Sequence, residues 1–200
     1  MSENKEKTAG ELLREKLTYK PKNGFKTLTD TELAVVDAYC QGYKAYLDAA
    51  KTEREAVTAA IELIESKGFV PYVKGMALKT GDKVYVNNRG KALLAATIGT
   101  RPITDGVTIA AAHIDSPRID LKPVPLYENT ELAYFDTRYY GGIKKYQWTA
   151  IPLALHGTVI RKDGTSINVC IGEDDNDPIF CITDLLPHLG REQMSRNAND

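Results

Sequence analysis

The chain has 200 residues, 42% of them hydrophobic and 26% charged, with 26 basic against 27 acidic side chains and a formal net charge of -1. That balance fits a globular chain of one or two domains and offers no basic excess for nucleic acid or an anionic membrane surface. No apolar run reaches the roughly 18 residues needed to cross a bilayer, and Met1–Thr8 is polar, without the apolar centre of a secretory signal, so a cytoplasmic location is expected.

After a charged tail, Leu12, Leu13 and Leu17 suggest a short helix that ends before Pro21 and Gly24. Thr29–Glu32 fits a capping box, and Leu33, Val36, Cys40, Tyr43 and Leu47 follow helical spacing behind it. Thr52–Glu55 repeats the signature, with Val57, Ala60, Ile61 and Ile64 behind it and Lys67-Gly68 as the stop. Both stripes are expected to be core faces. From Phe69 the period changes. Phe69–Val73 reads as a strand, and Lys83–Val86 and Lys91–Ile98 read as a hairpin turned at Asn87–Gly90. Cys40, Cys170 and Cys181 are odd in number, widely spaced and set in apolar contexts, so buried free thiols are expected.

Val107–Ala112 is a nearly unbroken apolar run, expected to be a strand buried on both faces in a parallel sheet. It ends in His113-Ile-Asp-Ser-Pro-Arg118. Side chains alternate along a strand, which puts His113 and Asp115 on one face at the carboxyl end, where open α/β sheets bind ligands. A neutral imidazole is a good zinc ligand, and a neighbouring carboxylate fixes its tautomer. Zinc needs three or four protein ligands, and with His156 and His188 the only other histidines, any remaining ligands must be mostly carboxylates.

After Asp120, Leu121–Glu128 holds two prolines and reads as a crossover. Leu132–Phe135, Ile151–Ile160, Ser166–Ile171 and Ile179–Ile182 read as strands, the middle pair joined at Lys162–Gly164, and a helix is expected to begin near Asp184. A domain boundary is placed near residues 118–125. Tyr139–Gly142 reads as a tight turn, Lys144 and Lys145 beside Tyr146 and Trp148 as a solvated loop, and the acidic cluster Glu173, Asp174, Asp175, Asp177 as a solvated turn. His156 and His188 read as structural. There is no Gly-rich phosphate loop and no convincing nucleophile.

Taken together, His113–Arg118, Asp120–Pro123, Tyr140–Trp148, Pro152–Gly157, Gly172-Glu173 and Asp184–Leu189, with Lys67–Phe69 and Asn88–Lys91 upstream, resemble the M18 family of zinc aminopeptidases, the aspartyl aminopeptidase and aminopeptidase I type, in its bacterial branch. The resemblance spans roughly residues 10 to 195. It implies an α/β fold in which residues 1–120 start a zinc-peptidase-type catalytic domain. Residues 121–200 would then start an inserted β-rich dimerisation domain. It also implies a hydrolase that removes N-terminal residues from peptides with free amino termini, by a water activated between two Zn2+ ions, with cobalt or manganese as alternatives. His113 matches a metal ligand, and Asp115 the carboxylate that orients it. The family implies a dimer-based homo-oligomer, a dodecamer, in which a loop reaches a neighbouring subunit's active site. Here that loop is Gly141–Trp148, and where several relatives carry a histidine this chain offers Lys145, with Gln147 close by.

Family members are more than twice as long, and this chain lacks a Glu-Glu pair and the later ligands. The 200 residues alone are therefore expected to be inactive. The competing expectation is a non-catalytic oligomerisation or interaction module from a truncated gene.

Overall fold

The computed structural model describes residues 7–197, so the expected tail over residues 1–6 and the last three residues lie outside it. The chain divides into two units, Met1–Ala45 and Tyr46–Asp200.

In the first unit, helix α1 (Ala9–Leu17) begins at a Thr8–Glu11 capping box. Helix α2 (Asp30–Ala49) begins where Thr29 and Glu32 exchange side-chain and backbone hydrogen bonds, as the sequence predicts. The α2 stripe is not a core face. The helix has no buried residue, and Tyr43 and Leu47 are exposed. One short helix and most of a second are too little apolar surface to enclose a core.

The second unit opens with helix α3 (Glu53–Glu65), capped by the predicted Thr52–Glu55 box and closed ahead of Gly68, whose φ of +84° suits the end of a helix. Strands β1 (Val70–Pro71), β2 (Lys83–Asn88) and β3 (Ala92–Thr97) form a sheet in that order. β1 runs parallel to β2, and β3 is antiparallel to it. The predicted hairpin turns through Arg89 and Gly90, both at positive φ, with the Lys91 N–H donating to the Asn88 carbonyl at 3.1 Å. Ala56, Val57, Val84 and Tyr85 are buried and form the core, with α3 packed on β3.

The apolar run Val107–Ala112 is not a buried strand. Residues 106–117 have no regular secondary structure, and Val107 and Ile109 are 63% and 78% exposed. A strand exists only by pairing, and among the described residues nothing pairs with this one. The predicted crossover at Leu121–Glu128 is instead part of strand β4 (Arg118–Asn129), antiparallel to β5 (Leu132–Tyr140). Pro123 and Pro125 fall where the pairing register shifts between Leu121 and Leu126. A proline without an N–H is tolerated at such an irregularity.

Strands β6 (Leu155–Ile160) and β7 (Ser166–Ile171) form the predicted second hairpin, tightened where Asp163 Oδ1 accepts from the Thr165 N–H and hydroxyl. Residues 179–182 make two isolated bridges rather than a strand. The helix expected from Asp184 is absent; a short 3-10 turn stands at Gln193–Ser195. Pro187 biases Leu186 toward extended backbone, and Leu189 and Gly190 both donate to the Leu186 carbonyl in a single turn. Cys40, Cys170 and Cys181 are free, as expected, but all three are exposed rather than buried.

Candidate metal centre

The His113–Asp115 pair forms without the strand that was to present it. The His113 Nδ1 lies 2.9 Å from the Asp115 carbonyl oxygen and 3.2 Å from Asp115 Oδ1. Backbone and side chain of one residue thus both face the same ring nitrogen, which favours the Nδ1–H tautomer and leaves Nε2 open. The imidazole is open, with 81% of its side-chain surface exposed.

Asp115 is itself held. The Tyr140 hydroxyl donates to Asp115 Oδ2 at 2.9 Å. That bond comes first, followed by a backbone bond, in keeping the Asp115 carboxyl below its usual range, and the same carboxylate raises the Tyr140 phenol. Tyr140 reaches Asp115 because β5 pairs with β4 in the register Arg118 opposite Tyr140. The Arg118 guanidinium lies 4.1 Å from the Tyr140 ring centroid. It is anchored there by Asp120 at 2.8 Å and by Glu53 of α3 at 3.8 Å.

The chain then turns at Gly141, where φ is +73° and an added Cβ would lie 3.5 Å from the Pro117 Cα. This contact brings the loop singled out in the sequence against the end of the His113 segment. Pro117, Gly142, Ile143, Lys144, Gln147 and Trp148 line one pocket of about 570 Å3. Gln147 shares this pocket with Pro117, while neither His113 nor Asp115 lines it. Lys145 lies with its Nζ 5.6 Å from the Tyr139 ring centroid.

A second constellation was not legible as such. His156, on β6, sits between two carboxylates, Glu55 Oε1 at 2.8 Å from Nδ1 and Glu173 Oε1 at 2.9 Å from Nε2. Burial is the largest influence on the imidazole and would lower its pKa, but the two carboxylates together outweigh it and the net shift is upward. Burial likewise works to raise Glu55, and the bonds from His156 and Thr52 bring it below its usual range. Both ring nitrogens of His156 are thus engaged, and Glu173 is engaged rather than merely solvated. Glu55 and His156 are 101 residues apart, and no local spacing announces their meeting.

The donor set can be tested against zinc. One imidazole with a free-facing nitrogen and a carboxylate behind it fits one ligand and its support. A zinc centre needs three or four protein ligands, and among the described residues no group of three His, Cys, Asp or Glu side chains is placed to hold a metal. Both nitrogens of His156 already face carboxylates, so that cluster does not supply the missing set.

A sequence model of the aminopeptidase I zinc metalloprotease (M18) family matches residues 46–200. The chain belongs to the M18 family. It is 50% identical over 182 residues to the "Probable M18 family aminopeptidase 1" of Clostridium acetobutylicum, covering 89% of this chain and 39% of that relative. The crystal structure of aminopeptidase I from the same organism superposes with a TM-score of 0.76 at 46% identity, covering 91% of this chain and 41% of that one. The M18 aminopeptidase structure from Thermotoga maritima gives a TM-score of 0.79 at 38% identity over 91% of this chain and 40% of that chain. The mixed helix-and-sheet fold is thus an M18 fold, and the chain spans about two fifths of the length of these M18 relatives. Among the described residues no helix is long and apolar enough to cross a membrane.

Proposed function

We propose that this chain is the amino-terminal part of a cytoplasmic metallo-aminopeptidase that releases N-terminal residues from peptides with free amino termini. The observation that carries this reading is the His113–Asp115 pair, with Nδ1 held at 2.9 and 3.2 Å, inside a chain of the zinc-metalloprotease family. In the complete enzyme His113 would be one ligand of a two-zinc centre, with Asp115 fixing its tautomer, and the remaining ligands and the general base would come from residues beyond those described. When bound, zinc would polarise the scissile carbonyl and lower the pKa of a water. This chain's own contribution is to aim one ring nitrogen and to hold the proton on the other. Residues 1–120 would start the catalytic domain and residues 121–200 an inserted dimerisation domain. Gly141–Trp148 would be offered to a neighbouring subunit of a homo-oligomer, where Lys145 could act as an electrostatic donor to the reacting carbonyl.

The 200 residues by themselves should be inactive, because a single ligand and its support do not hold a catalytic zinc. The test compares the purified chain and the full-length parent on peptides with free amino termini, with and without added zinc, cobalt or manganese. The chain should release nothing. The parent should be active, and His113→Ala in the parent should reduce its activity by about 100-fold or more, with metal content falling. A His113→Ala parent that keeps its metal and its rate would overturn the assignment.

A further inference from the structure

We infer that Tyr140 is a positioning residue for His113, its hydroxyl locking the Asp115 carboxylate in the orientation that restrains the imidazole. The inference rests on the reading of His113 as a ligand, but the geometry behind it stands apart from any metal.

The two oxygens of the Asp115 carboxylate have different side-chain partners, and the residue's own backbone N–H adds a further bond. Oδ2 accepts from the Tyr140 hydroxyl at 2.9 Å and Oδ1 faces His113 Nδ1 at 3.2 Å. Without the first bond the carboxylate would lose its only partner from a paired strand and could populate other rotamers, since Asp115 itself lies in a segment with no ladder to fix it. The backbone carbonyl of Asp115 would remain near Nδ1 but would bring no negative charge. Tyr140 supplies the rigidity that this segment lacks. Its backbone is fixed by pairing with Arg118, and its ring lies under a guanidinium anchored on Asp120 and Glu53. The chain bends away immediately afterwards at Gly141, so the phenol stands at the last paired position, next to the unpaired segment it must reach. A phenylalanine would fill the same space under Arg118 and donate nothing.

The test reads the imidazole directly. The full chain has three histidines, so a ring-nitrogen NMR spectrum of histidine-labelled protein is assignable by single substitutions. At a pH where His113 is neutral, Tyr140→Phe should lower its ratio of Nδ1–H to Nε2–H tautomer by about twofold or more, leaving the His156 and His188 signals in place. Asp115→Asn should shift the ratio too, and adding Tyr140→Phe to Asp115→Asn should then change nothing further, because the hydroxyl acts only through the carboxylate. An unchanged tautomer ratio in Tyr140→Phe, or an undiminished effect in the Asp115→Asn background, overturns the inference. In the parent, Tyr140→Phe should lower kcat about 10-fold with KM little changed. A tautomer shift in the chain with no loss of kcat in the parent upholds the positioning and counts against the metal reading instead.

Discussion

Two regions of the second unit carry apolar side chains and end in opposite states. Ala56 and Val57 of α3, with Val84 and Tyr85 of β2, are buried. Val107 and Ile109, in a run at least as apolar, are 63% and 78% exposed. The difference is the supply of neighbours. β2 has a hydrogen-bonded strand on each side, and α3 packs on β3, whereas nothing among the described residues pairs with residues 107–112. An apolar run states a demand for burial, and the demand is met only by other elements.

A cut into the packed side should have a large effect on stability. Val57 is 2% exposed, and Val57→Ala should destabilise the chain by about 2 kcal/mol, from lost transfer free energy and a residual cavity. Urea unfolding followed by circular dichroism checks it. A shift below about 0.5 kcal/mol, the range of ordinary surface substitutions, would mean that α3 is not part of a core.

What could be read from the sequence follows the same division. Capping boxes at Thr29 and Thr52 and the positive-φ turn at Arg89–Gly90 are local devices, complete within four residues, and each forms where the sequence puts it. The His113–Asp115 pair is also local, two residues apart, and it forms even though its expected strand does not. The misreadings of burial depend on distant chain. The burial of residues 107–112, the α2 stripe and the cysteines needed covering elements, and periodicity carries no information about whether they are present. Tyr140 and the Glu55–His156–Glu173 bridge were missed for a related reason, since their partners are 25, 101 and 17 residues away and only the fold brings them together.

The hairpin that gives β2 its second neighbour can be loosened next. Gly90 sits at φ +67°, and a Cβ there would meet the Arg54 Nη1 at 3.3 Å, the movable end of a long side chain. Gly90→Ala should therefore cost about 1.5 kcal/mol, mostly from backbone strain rather than collision. A thermal melt that matches the unmodified chain would show that the turn relaxes without cost.

The packed side is also tied electrically, and pH tests that tie. The His156 pKa is raised above 6.5, so its contribution is complete below about 6.5 and is lost as pH rises through the raised value. The Glu55 pKa is lowered below 4.5, so its contribution is present above about 4.5 and is lost as pH falls through the lowered value. His156→Gln should accordingly lower the melting temperature most between pH 4.5 and 6.5 and progressively less toward pH 9. With Glu55 33% and Glu173 44% exposed, screening limits the effect to about 0.5–1 kcal/mol. A deficit that grows toward pH 9 would show that the imidazole is held neutral.

A substitution that should be nearly neutral in this chain decides what the open side means. Ile109→Ser in this chain exchanges one exposed side chain for another, and unfolding free energies should agree within about 0.5 kcal/mol. In the full-length parent the same substitution should cost about 2–3 kcal/mol, because the proposed remainder of the enzyme would supply the strands and helices that residues 107–112 call for, and a polar group would then replace a buried branched one. Equal, negligible costs in chain and parent would mean that the run stays open in both, and that His113 is then presented by a flexible segment rather than by a sheet. Equal, large costs would mean that the run is already buried in the chain. Only the unequal result fits a ligand that waits, correctly hydrogen-bonded to Asp115, for the rest of its fold.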